Sequence, residues 1–240
     1  ATGQNGGQTG KGTPGGAGGN DWLKVTARGH TADSVSHTVI GTKLSFSWYS
    51  AILGVGQQDN YPYQYIYIST PNNVTAPLTV TISNADPTIV GIPPTITIPI
   101  GSNLTYFTVS GKALGSDTFI ASAAGYQPDT AYHTVTSPKL WLSGGGTFNN
   151  FSTPLAFTTY TGDSIRYTHN RTTPLIVTYS STNTAVFTVT NTPDTVQAGQ
   201  SYANQLQITP SGIGTAKLIC RARGHSPDPV PSSVPARALH

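Results

Sequence analysis

The feature that most constrains this fold is a block of sequence that occurs three times. Gly125-Tyr126-Gln127-Pro128-Asp129 leads into His133-Thr134-Val135 and then Lys139-Leu140. Near the N-terminus, Gly29-His30-Thr31-Ala32-Asp33 leads at the same spacing into His37-Thr38-Val39 and Lys43-Leu44. Near the C-terminus, Gly224-His225-Ser226-Pro227-Asp228 starts the block again, but prolines follow it. The copies lie about 96 and about 99 residues apart, close to the length of one β-sandwich domain. The chain is therefore expected to open inside a domain, run through two more, and end on a weakened last strand.

Composition agrees with an all-β chain. Only 9% of the residues are charged, all the acids are Asp, and Met is absent. Thr, Ser and Val suit pleated sheets, while 18 Pro and 26 Gly supply frequent turns. The net charge of +3 reflects few acids and no basic cluster, so nucleic acid is not an expected partner. No apolar run approaches the ~20 residues that span a bilayer. Low charge with abundant Thr, Ser, Asn and Gly reads as a secreted or cell-surface chain.

The pattern divides into four parts. Residues 1–20 form a glycine-rich arm with little apolar surface to bury. Residues 21–41 carry a partial repeat with two predicted strands, Trp22 to Arg28 and Ser34 to Ile40. A first full repeat covers 42–136, and a second covers 137–240 with a proline-rich tail. Leu23, Val25 and Ala27 alternate with the polar Lys24, Thr26 and Arg28 in the partial copy, and Phe119, Ala121 and Ala123 hold the matching positions in the middle one. Leu218, Cys220 and Ala222 hold them in the last, which places Cys220, the only cysteine, on a buried face.

Within the first repeat, Asp86-Pro87-Thr88-Ile89-Val90, then Thr95-Ile96-Thr97-Ile98-Pro99-Ile100-Gly101-Ser102, then Phe107-Thr108-Val109-Ser110-Gly111 and Ala121-Ser122-Ala123-Ala124-Gly125-Tyr126 carry a family resemblance. They resemble the bacterial immunoglobulin-like (Ig-like) repeats of invasin-type and other surface proteins. The resemblance implies two tandem Ig-like β-sandwiches, preceded by the arm and the partial strand pair, of the kind used in stalks, adhesins and appendage subunits. It implies no catalytic residues and no cofactor.

Motifs for chemistry fail on inspection. Gly10-Lys11-Gly12 lacks the first glycine and the hydroxyl residue of a phosphate loop. Gly162-Asp163-Ser164 reads as a turn before a strand, without an esterase elbow. The histidines at 30, 37, 133, 169, 225 and 240 show no metal-ligand spacing. No carboxylate pair suggests acid–base work, so the chain is not expected to be an enzyme or to bind a metal. Tyr61, Tyr63, Tyr65 and Tyr67 alternate along one run; they read either as part of a strand with one face in the core, or as an exposed aromatic surface for subunit packing or sugar stacking. Asn73, Asn103, Asn150 and Asn170 head glycosylation sequons.

Two strands without the rest of a sandwich cannot bury their apolar faces, and proline in the last strand weakens a sheet edge. This pairing suggests a structural subunit that polymerises head-to-tail into a filament, its N-terminal strands docking on the C-terminal repeat of the next copy. Trp22, Leu23, Val25, Val35, His37 and Val39 are the expected contacts. The alternative is a fragment of a tandem-Ig adhesin that binds glycan or a host protein; a carbohydrate-binding accessory module of a secreted enzyme is a weaker third reading.

Overall fold

The computed structural model describes residues 19–39, 41–48, 51–62, 65–143, 146–147, 155–226 and 229–234. Every regular element among them is a strand. The glycine-rich arm, apart from its last two residues, lies outside this range, as do Tyr63 and Asn150.

The chain opens with β1 (Gly19–Val25) and β2 (Asp33–Val39), an antiparallel hairpin that forms a sheet of its own. The first repeat follows: β3 (Thr42–Lys43), β4 (Ser45–Trp48), β5 (Ile52–Gly54), β6 (Gln57–Asp59) and β7 (Ile66–Ser69). Next come β8 (Leu78–Asn84), β9 (Val90–Gly91), β10 (Thr95–Ile98), β11 (Leu104–Phe107) and β12 (Val109–Gly111). It ends with β13 (Gly115–Ser122), β14 (Tyr126–Gln127) and β15 (Asp129–Thr136). One layer has the order β10-β8-β13-β15-β5 and the facing layer β11-β7-β4. Alternation sends Val80, Ile82, Phe119 and Ala131 from the first layer, and Phe46, Ile66, Ile68 and Phe107 from the second, into one core.

The second repeat contains β16 (Lys139–Ser143), β17 (Gly146–Thr147), β18 (Leu155–Gly162), β19 (Asn170–Arg171) and β20 (Leu175–Ser181). β21 (Phe187–Thr190), β22 (Asp194–Val196), β23 (Tyr202–Pro210), β24 (Gly214–Arg221) and β25 (Val230–Val234) complete it. Its layers are β16-β18-β23-β21 and β17-β25-β24-β20-β22. Leu140, Phe157, Leu206 and Ile208 meet Val177, Leu218, Cys220 and Val234 in a second core. The fold is all-β and Ig-like, and the two cores fall on either side of Pro138.

The three sequence blocks form three hairpins in one register. β1 pairs with β2 through Gly19↔Val39 and Leu23↔Val35. β13 pairs with β15 through Gly115↔Val135 and Phe119↔Ala131, and β24 with β25 through Gly214↔Val234 and Leu218↔Val230. Each turn closes on the same backbone bond: the N–H of His30, Tyr126 and His225 donates to the carbonyl of Ala27, Ala123 and Ala222 at 3.1, 3.2 and 3.3 Å. The glycine in each turn, Gly29, Gly125 or Gly224, has φ of +79°, +81° or +75°, where a side chain would clash with its own backbone.

Two expectations need correction. The proline-bearing last strand does form: β25 pairs along five residues with β24 and, at Ser232 and Ser233, with β17. Pro231 points outward and lies beyond the pairing with β17, so its missing N–H removes no bond from that ladder. The second correction is that the tyrosine run is not one strand. Among the described residues of the run, Ile66–Ser69 forms the paired strand, and Tyr61 lies in a turn ahead of it.

Candidate assembly surface and inter-repeat joint

In each full repeat the last hairpin is covered by the opposite layer. Phe119 is 0% exposed, whereas Leu23 at the matching position of β1 is 53% exposed. Trp22, Val25 and Val35 are likewise exposed, and so is His37, whose counterpart His133 is fully buried. His133 lies 5.6 Å from the Trp48 ring and 5.4 Å from Phe119, stacked on the latter. Val39 continues the β2 ladder as the partner of Gly19. All six residues expected at an assembly interface thus lie on one two-stranded hairpin that, among the described residues, no second layer covers, with Leu23 and Val25 on one strand and Val35 and Val39 on the other at the register positions that face the core in the other copies.

The second repeat has a groove of about 730 Å³ beside its own last hairpin, lined by Thr182, Ala216, Lys217, Pro231 and Ser232 among others. The Ser232 hydroxyl there is buried without a hydrogen-bond partner. Sequence reasoning missed this groove. The signal was present in the repeat alignment, where Ala216 and Ser232 stand at the places of Asp117 and His133.

Tyr61, Tyr65 and Tyr67 face outward, with Ile66 and Ile68 behind them in the core. Tyr61 lies 4.3 Å from Tyr106, Tyr106 lies 5.6 Å from Tyr67, and Tyr67 lies 6.1 Å from Tyr65. Tyr106 was not among the expected residues because it sits on β11, about 40 residues away in sequence. Of the sequons, Asn73 is exposed and Asn103 half-buried. Asn170 is buried, and its amide donates to Asn60 Oδ1 at 3.0 Å, which occupies the nitrogen that a glycan would need.

The joint between the repeats holds an ionic cluster that no sequence motif announced. β19 of the second repeat pairs with β6 of the first, Asn170↔Gln58 and Arg171↔Gln57, so one sheet runs across the joint. His169 Nδ1 donates to Asp59 Oδ1 at 2.6 Å, and its Nε2 lies 3.3 Å from Asp163 Oδ2. All three side chains are fully buried. Asp163 is held by the N–H groups of Ile165 and Tyr167 at 2.8 and 3.0 Å. Burial opposes a charged His169, yet its bonds to Asp163 and Asp59 and their charges outweigh it and lift its pKa to about 9. Burial pushes the Asp59 carboxyl above its usual range against the pull of His169.

Around this cluster, Gln57 Nε2 donates to Thr161 Oγ1 at 3.0 Å, and Arg171 donates to the Val55 carbonyl at 3.1 Å. Gly56, at φ +72°, leaves room for the guanidinium: a Cβ there would stand 2.8 Å from Arg171 Nη2. Burial lowers the pKa of His225 nearby, and the charge of Arg171 adds to the effect. The cluster is sealed from solvent and links a residue of the first repeat, Asp59, to two of the second, Asp163 and His169. Among the described residues, no group of three or more His, Cys, Asp or Glu is placed to hold a metal ion.

No protein-family model and no curated protein matches the chain. Among solved structures it is similar to domains 4 and 5 of the S-layer protein SbsC, at 13% identity and TM-score 0.34, over 65% of this chain and 77% of that one. It is similar to the D0-D1 domain of intimin at 12% identity and TM-score 0.30, over 79% and 97%. The Yersinia pseudotuberculosis adhesin InvE matches at 13% identity and TM-score 0.33, over 80% and 58%. These are surface proteins of the kind named by the sequence resemblance. At such TM-scores the Ig-like assignment rests on the strand topology above and not on the likeness.

Proposed function

We propose that this chain is an extracellular structural subunit that polymerises head-to-tail by strand complementation through β1–β2. One observation carries the reading: β1–β2 has the register and turn of a closing Ig-like hairpin but, among the described residues, no flanking strand and no covering layer. At the places of β11 and β12 the sequence offers Gln8-Thr9-Gly10-Lys11 and Thr13-Pro14-Gly15, with no apolar side chain to pack. The cover comes from elsewhere, and a heterologous contact with another copy extends into a filament. The role is structural, not catalytic.

The test is electron microscopy of the purified full chain beside a variant lacking residues 1–40. Filaments from the first, and a folded, soluble, unassembled second, support the reading. Identical filaments from both, or none from the intact chain under any assembly condition, overturn it. The exposed row of Tyr61, Tyr65, Tyr67 and Tyr106 favours a second reading, the stalk of an adhesin that binds glycan; a glycan array reads that directly.

A further inference from the structure

We infer that the acceptor of β1–β2 is the second repeat of a neighbouring copy, where the incoming hairpin replaces β24–β25. The inference rests on the assembly reading above and names its partner. Both repeats already hold a closing hairpin, so docking requires exchange, and the more weakly held hairpin is the one exchanged.

That hairpin is β24–β25. Its last strand is five residues long and carries Pro231, whereas β15 is eight residues long and β2 pairs along seven residues without proline. The Ser232 hydroxyl is buried without a partner, and it borders a groove of about 730 Å³. A buried polar group in that state is one the fold gains by replacing.

The incoming hairpin matches what this place lacks. The common register sets Leu23 at the position of Leu218, Val25 at that of Cys220 and Val39 at that of Val234. The apolar pattern is therefore kept. The differences fall on the groove. Asp21 stands opposite His37 where the second repeat has Ala216 opposite Ser232. Trp22 stands where it has Lys217. Trp22 would take the outward position of Lys217 beside the groove, while Asp21 and His37 would put larger side chains at the inward-facing positions of Ala216 and Ser232. The first repeat shows that an Ig-like sandwich of this chain accommodates such a pair: Asp117 stands opposite His133, both buried, and Asp117 accepts from the Asp86 N–H at 2.9 Å.

The register also fixes a cross-link. In the exchanged state Lys24 takes the place of Ile219, which pairs with Ser180. On the first repeat it would take the place of Ile120, which pairs with Ser83. Full-length Lys24→Cys/Ser180→Cys and Lys24→Cys/Ser83→Cys proteins, each also Cys220→Ala, are oxidised under assembly conditions and run on non-reducing gels. We expect a reducible ladder from the Ser180 pair, at least tenfold more abundant than from the Ser83 pair. In the unsubstituted protein, where the variants' folding is not in question, assembly should expose Cys220 on the released β24 and speed its thiol labelling at least tenfold. A ladder from the Ser83 pair alone, or oligomers with neither ladder and a protected Cys220, overturns this acceptor and leaves the assembly reading standing. Failure to assemble at all overturns both.

Discussion

His169 shows how much a single side chain can differ from its setting in sequence. Asp163 lies six residues before it and Asp59 more than a hundred, and neither spacing suggests an ion cluster. The fold brings them together because β19 crosses to β6. With its pKa lifted from 6.5 to about 9, His169 binds its proton more tightly in the folded chain than in the unfolded one. Its contribution is fully present below about pH 6.5 and is lost as pH rises through 9. Asp59, also raised, has the same sign at lower pH: the folded state loses stability as pH climbs from the usual Asp range toward the raised value. The joint should therefore be weaker in alkali, by about 3 kcal/mol from His169 when the shift is converted at 1.36 kcal/mol per unit. Thermal unfolding from pH 5 to 10 should show the decline, and His169→Gln should flatten it between pH 6.5 and 9. An unchanged slope would remove His169 from this role. Cys220 makes a simpler test at the same scale: fully buried beside Tyr179 and Leu218, it should label in the unassembled native protein far more slowly than after unfolding.

At the level of elements, the hairpins were the legible part. Their spacing and turn glycines sit in the sequence and all three hairpins form there, although β1 runs Gly19–Val25 instead of Trp22 to Arg28, and its triplet Leu23, Val25 and Ala27 is exposed instead of inward. The prolines of β25 misled because their effect depends on what flanks the strand, and sequence does not show that β17 reaches only Ser232 and Ser233. The groove and the ionic joint were illegible for a related reason: both arise from contacts between strands far apart in the chain. Tyr61 and Tyr106 met by the same route. For β1–β2 the expected behaviour follows from exposure. Leu23→Asp combined with Val35→Asp alters only exposed positions in the unassembled chain, so melting of the two repeats should shift by less than about 0.5 kcal/mol. Docking would place both charges in an apolar core without partners. Assembly followed by light scattering should fall at least a hundredfold; assembly at the normal rate would show that the hairpin face is not the contact.

At the scale of the molecule, the joint decides whether the chain behaves as beads on a string or as one rod. Domains linked by a short tether and a wet contact move independently by default. Here a shared sheet, three buried ionisable groups and the Arg171 contact with Val55 bridge Thr136 to Pro138. Such a joint couples unfolding: opening the second repeat leaves Asp59 without His169, and opening the first takes from His169 one of its two carboxylates and from Arg171 the Val55 carbonyl, each of which is costly. The intact protein should therefore melt in a single transition. Arg171→Ala removes the guanidinium that Gly56 makes room for and the bond to the Val55 carbonyl, at a cost of about 2 kcal/mol. Because that loss falls on the joint and not on either core, it should uncouple the repeats. Calorimetry should then resolve two transitions, one for the residues around Phe119 and one for those around Leu206. A lower melting temperature with one sharp transition would mean that Arg171 stabilises the second repeat alone. The two-transition outcome is the one required if Arg171 is what ties the two repeats into one cooperative unit.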